Sequence, residues 1–374
     1  MVHCCRSSLL GRSYVLYGRT STHIDHRLRL GHLFSHNGRL LSTASSSSVK
    51  EDFKYCVDLI QKRDYDAYLC GLLLPSDHAK MAYFATRALN VEIGSTLQDM
   101  NSNDTNLIAI QLRLQFWRDS IAQMYAPNGS SGGRQSYSTP VLRALQAVQL
   151  KSNFSQIFFE RLVDAREMDL DLVTSAKSNN DYMVFPNYED MERYNELSSS
   201  SLIYLCMESL GVFECEEADI AASHVGRALG IVSLLKGSVH RAAMGEICIP
   251  KDMCEKYSID PESIVAHTLY QRNSRNDLSS DQSGATSTNV IRATEELATC
   301  AYNHISIARN IQSSLPKEAR ACLIQATTAL HYLEQLKGNK YDLFTDEMVN
   351  RSQSSRNDVM HYLKLGRTWL TGVF

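Results

Sequence analysis

Arg87-Ala88-Leu89-Asn90-Val91-Glu92-Ile93-Gly94 is the stretch on which the reading of this chain turns. It continues an apolar stripe of helical period through Ala79, Met81, Ala82, Tyr83, Phe84 and Ala85, with Pro75 and Ser76 placed as a helix start. Positions 90 and 94 fall about 40° apart around a helix axis, so their side chains face one way. Carboxylates at that spacing hold Mg²⁺, a hard cation that prefers oxygen ligands and substrate phosphates. Asn90 and Gly94 offer an amide and a hydrogen instead. Glu92 is no substitute, because it lies about 200° round the helix from Asn90.

A second stretch has the same character. It reads Gly226-Arg227-Ala228-Leu229-Gly230-Ile231-Val232-Ser233-Leu234-Leu235-Lys236-Gly237, followed by Ile249-Pro250-Lys251-Asp252. The two stretches resemble the metal-binding helices of the squalene and phytoene synthases. In that family the first reads Arg-x-x-Asp-x-x-x-Asp. The second reads roughly Gly-x-Ala-Leu-Gln-x-x-Asn-x-x-Arg-Asp, with a Leu-Pro turn after it. By this resemblance Asn90, Gly94 and Gly237 stand at acidic positions, Gly230 at the Gln and Ser233 at the Asn. The likeness runs from about Phe53 to the C-terminus, and the Leu74-Pro75 turn and Arg113-x-Gln115-Phe116-Trp117 resemble a non-catalytic mitochondrial branch of the family.

The resemblance implies an all-α fold of the class I isoprenoid synthase type, a helical bundle around a central cavity. It implies a pseudoenzyme with no catalytic residues, no metal and no cofactor. The features are similar to those of a non-catalytic mitochondrial branch acting in early biogenesis of respiratory complex I (NADH dehydrogenase), on the matrix side of the inner membrane. Partners would then be complex I subunits or other assembly factors, with peripheral membrane contact. The apolar pattern at Ala228, Leu229, Val232 and Leu235 adds the expectation that a pocket persists for a lipid or a partner. The rival reading is a working Mg²⁺-dependent prenyl transferase that uses farnesyl or geranylgeranyl diphosphate.

Other residues carry weaker signals. Asp342-Leu343-Phe344-Thr345-Asp346 has the spacing of a metal pair, but Asp346 reads as a helix cap. Asp164, Asp169 and Asp171 match neither motif and read as a solvated face. His224 and His240 flank the second stretch and read as structural or surface residues. Arg227, Lys236 and Arg241 are able to meet an anionic head group, although solvation is the plainer reading. Phe116 and Trp117 read as core. P-loop, dinucleotide, His-Glu-x-x-His and Gly-x-Ser-x-Gly motifs do not occur.

The 374 residues are enough for a substantial core, and the net charge of −3 gives no global field for nucleic acid. No run of eighteen apolar residues appears. The ten cysteines form no Cys-x-x-Cys pair and read as reduced thiols, several of them core fillers. Residues 1–49 hold six arginines, ten serines and one acid, Asp25. That composition fits a mitochondrial transit peptide, with Ser45 to Ser48 as a junction. Residues 50–374 read as one helical domain. Helices are expected over Leu107 to Tyr125, Val141 to Leu150, Ile157 to Leu172, Tyr188 to Leu210, Ala218 to Leu235, Val290 to Gln312, Lys317 to Leu336 and Asp358 to Leu370. Polar loops are expected over Ser130 to Ser138 and Asn273 to Asn289.

Overall fold

The computed structural model describes residues 46–96, 107–126, 137–179, 181–274, 286–351 and 358–374. These residues form helices almost throughout. The first group is α1 (Ser46–Arg63), α2 (Tyr65–Leu72), α3 (Asp77–Ser95), α4 (Leu107–Tyr125), α5 (Pro140–Ser152) and α6 (Gln156–Asn179). Next come α7 (Tyr188–Asn195), a π turn (Glu196–Ser200), α8 (Ser201–Ser209) and α9 (Glu216–Ala242). The remainder is α10 (Lys251–Lys256), α11 (Pro261–Ser274), α12 (Thr288–Asn310), α13 (Lys317–Cys322), α14 (Gln325–Gly338), α15 (Asp346–Arg351) and α16 (Val359–Thr371). The strands are β1 (Met183–Val184) and β2 (Glu246–Ile247), a single short parallel pair.

Local chemistry sets many of the helix starts. Ser76 Oγ accepts from the Ala79 amide at 3.1 Å and opens α3. Thr139 caps α5, whose first residue is Pro140, a residue with no amide to satisfy there. Asn187 caps α7 and Asp358 caps α16. Packing then arranges the helices. α9 lies at the middle and touches α7, the π turn, α12 and α14, while α3 packs on α1, α5 and α8. By length and hydropathy α9 is able to cross a membrane, yet 61% of its apolar window is buried inside the molecule.

Several expectations need correction. Ser46 to Ser48 belong to α1, so the chain is already helical where a junction was expected. Residues 1–45 of the basic segment, and most of both polar loops, lie outside the described residues. The helix expected over Lys317 to Leu336 is interrupted at Leu323 and Ile324, giving α13 and α14. Tyr188 to Leu210 is continuous except for the π turn. Asp346 is the first residue of α15. The cap there is Thr345, whose Oγ1 accepts from the Met348 amide at 3.3 Å.

Candidate functional site

The face of α3 that carries positions 90 and 94 looks at α6. Asn90 is buried, and its Oδ1 accepts from Arg166 Nη2 at 3.0 Å. Arg166 Nη1 donates to Asp169 Oδ2 at 3.1 Å, and the two side chains are 2% and 0% exposed. A Cβ built on Gly94 would lie 3.9 Å from Arg166 Nε. One guanidinium therefore occupies the space beside both positions. Asp169 is not on a solvated face, as its spacing had suggested. It is fully buried, while Asp164 forms a half-buried pair with Arg118 at 2.5 Å and Asp171 is exposed.

The matching face of α9 is closed by contact. Asn195 is fully buried at the end of α7, and a Cβ on Gly230 would sit 2.6 Å from Asn195 Cβ. A Cβ on Gly226 would meet the Ser200 backbone nitrogen at 2.5 Å. Both glycines are needed because α9 runs against the end of α7 and the π turn with no room for a side chain. At Gly237 the added Cβ would meet Arg241 Nε at 2.9 Å. Arg241 is buried and lies 3.4 Å from Glu246. Ser233 is half-buried.

Between these faces lies a second charged group. Arg87 pairs with Asp64 at 3.6 Å and donates to Gln325. Lys236 Nζ meets Asp66 at 2.7 Å, and His361 Nε2 lies 3.6 Å from the same aspartate. Burial opposes the charge on Lys236, but Asp66 and then Asp64 outweigh it and hold its pKa above the ordinary value. Burial, and the nearby His331 and Lys236 charges, push His361 down to about 4. On the far side of α9, Arg227 reaches Glu196 at 3.1 Å and Glu192 at 3.6 Å. His304 Nε2 meets Glu192 at 2.8 Å, and His304 Nδ1 meets His224 Nδ1 at 2.8 Å. Burial, then the His304 and Arg227 charges, push His224 down to about 4. Arg227, Lys236 and Arg241 thus spend their charge on internal carboxylates and are not a solvated set.

These residues do not fit a magnesium cluster. Mg²⁺ needs several hard oxygen donors in near-octahedral array. The five positions present an amide, a hydroxyl and three hydrogens, with the Arg166 and Arg241 guanidiniums and Asn195 packed beside them. Among the described residues no three His, Cys, Asp or Glu side chains converge as a metal set. The apolar interior is closed as well. Ala228, Val232 and Leu235 are at most 3% exposed, and Leu229 packs against the core, so they do not line a lipid-sized void. A cavity of about 20 Å³ between Leu234, Arg241 and Cys248 has room for roughly one water. Trp117 is core, but Phe116 is exposed at an open groove with Leu112 and Arg113. The described cysteines are free thiols, six of them buried, and burial pushes Cys248 up to about 11.

Comparison with known proteins fits this architecture. The squalene/phytoene synthase family model matches residues 60–356. The chain belongs to the squalene/phytoene synthase family. Among curated relatives, it is 28% identical over 314 residues to NADH dehydrogenase (ubiquinone) complex I, assembly factor 6, of Rattus norvegicus, covering 84% of this chain and 82% of that protein. It is 30% identical over 300 residues to the Drosophila melanogaster homolog of the same factor, covering 80% and 79%. Among solved structures, squalene synthase HpnC from Alicyclobacillus acidocaldarius superposes with a TM-score of 0.57 at 16% identity, covering 79% of this chain and 97% of that one. This member of the squalene/phytoene synthase family therefore has the all-α isoprenoid synthase fold expected of it.

Spacing alone did not reveal Arg166, Asp64, Asp66, Asn195, Glu192 or Glu196. Arg166 and Asn90 are 76 positions apart, and Asp66 and Lys236 are 170 apart. The one local signal was Asp64-Tyr65-Asp66, two acids ahead of the first recognised motif.

Proposed function

We propose that this protein is a non-catalytic member of its family that serves as an assembly factor for mitochondrial respiratory complex I. It acts in early biogenesis on the matrix side of the inner membrane, addressed there by the basic, acid-poor residues 1–49. The observation that carries the loss of catalysis is Arg166. Its buried guanidinium, held by Asn90 and Asp169, takes the place beside α3 where an active relative would need carboxylates and magnesium. A fixed cation tethered to the fold supplies positive charge without an exchangeable coordination site, so it cannot gather substrate phosphates as a metal does. The named function of the curated relatives supports the rest, and complex I subunits or other assembly factors are the corresponding partners.

Depletion of the protein from its own cells, followed by quantification of each respiratory complex, is the direct test. Complex I is expected to fall while the others hold, and an equal fall in all complexes would refute the assembly role. The competing prenyl transferase reading has its own assay, Mg²⁺-dependent pyrophosphate release from farnesyl diphosphate. No release is expected from the wild-type chain, nor from Asn90→Asp/Gly94→Asp/Gly237→Asp. In that variant Arg166 and Arg241 are positioned to meet the new carboxylates before any metal does.

A further inference from the structure

The C-terminal helix α16 shows two unlike faces. His361, Leu365 and Thr368 are buried against the body. That face is firmly attached: Thr327 Oγ1 donates to Thr368 Oγ1 at 2.9 Å, and Asp358, the helix cap, meets His331 at 2.7 Å. Beyond the helix, Arg309 Nε donates to the Phe374 carbonyl at 2.7 Å. The opposite face is apolar and points outward. Val359, Leu363 and Leu370 are 69%, 62% and 77% exposed and lie within about 40° of each other around the axis. Met360 and Tyr362 widen the strip, and Trp369 borders it with its indole Nε1 donating to the Leu73 carbonyl at 3.0 Å.

Charge decides what this face fits. Residues 359–374 contain Lys364 and Arg367 and no acid, although the whole chain has a net charge of −3. Arg367 is exposed beside the leucine strip, and Lys364, on the side toward α14, is partly engaged by Glu334. An outward apolar strip, a flanking cation and two amphipathic aromatics match the boundary between acyl chains and anionic head groups. We propose that α16 is the element by which the protein lies on an anionic lipid surface. The inference rests on the membrane-side placement given under the proposed function and adds the contacting element. The helix is already formed and fixed, so docking costs little ordering of the backbone. One short helix gives reversible attachment, strengthened by negative lipid and weakened by salt.

The test is flotation of the purified full-length chain with phosphatidylcholine vesicles, with and without phosphatidylglycerol. The wild-type chain is expected to float with the anionic vesicles, and less so as salt rises. Leu363→Glu/Leu370→Glu should lower binding by about tenfold or more, with an unchanged thermal melt because both side chains are exposed. Arg367→Glu is the second variant. It should weaken binding to anionic vesicles without altering the melt, and it decides the matter if the double variant does not fold. A wild-type chain that ignores anionic vesicles, or variants that float as well as it does, would overturn the proposal. If the wild-type chain ignores vesicles while the double variant fails to restore complex I in depleted cells, the face takes a protein, and the lipid proposal is again overturned. A chain that floats as expected but whose depletion leaves complex I intact would refute the assembly role alone.

Discussion

The α3 and α9 faces that the sequence sets against the family's metal helices both lack carboxylates, but in different physical ways. On α3 the acidic character is missing and the space remains. Gly94 has ordinary clearance to Arg166, and a side chain there would find a guanidinium nitrogen that has no other partner among the described residues. On α9 the space at Gly230 is gone, because the helix has closed on Asn195, while Gly237 again faces a guanidinium, that of Arg241. A missing charge is reversible by substitution. A close helix contact is not, since any side chain must push two elements apart. At Gly230 packing is therefore a larger barrier to a polar side chain than charge is at Gly94.

The strongest test of the α3 half is Arg166→Met, which leaves the Asp169 carboxylate buried without its guanidinium. A loss of about 3–5 kcal/mol in urea unfolding is expected, with most of it recovered in Arg166→Met/Asp169→Leu. A wild-type-like Arg166→Met would mean that the pair is not closed from solvent. On α9, Gly230→Ala should cost about 1–3 kcal/mol by overpacking against Asn195. The same change at Gly94 should be neutral or stabilising, by up to about 1 kcal/mol, because alanine is the better helix former. Equal effects at the two glycines would erase the contrast.

A graded effect is expected with pH. His224 and His361 have folded-state pKa values near 4, below the unfolded value of about 6.5. The fold favours their neutral forms, so this contribution is complete above the unfolded value and declines as pH falls toward 4. Urea midpoints should drop across that window, and His224→Gln should flatten part of the slope. The smallest effect belongs to Gly94→Asp. Its gain from Arg166 is offset by a negative charge near the C-terminus of α3, and the net change should stay within about 1 kcal/mol. Calorimetry should find no Mg²⁺ binding to that variant.

Much of the helical framework was legible because helix periodicity and caps are local properties. Leu107–Tyr125 and the starts at Ser76, Pro140 and Asp358 needed only neighbouring residues. The break between α13 and α14 carried no such mark, since Leu323 and Ile324 are ordinary apolar residues. Asp169 was misread for a related reason: a carboxylate within a mixed-charge helix looks solvated until its partner is known. Arg227, Lys236 and Arg241 were misread in the same way, because ion pairs across helices leave no spacing signal.

The order of residues alone determined that this is a helical chain, where most helices begin, and that amide, serine and glycine stand at positions 90, 94, 230, 233 and 237, which the resemblance sets against polar ligands. These facts depend on residue type and on short-range geometry. Only the tertiary structure decided what fills those positions. The burial of Arg166 beside Asn90, the closure of α9 on Asn195, and the outward turn of the α16 leucines all depend on which distant helices meet, and that is set by dense packing between residues far apart in sequence.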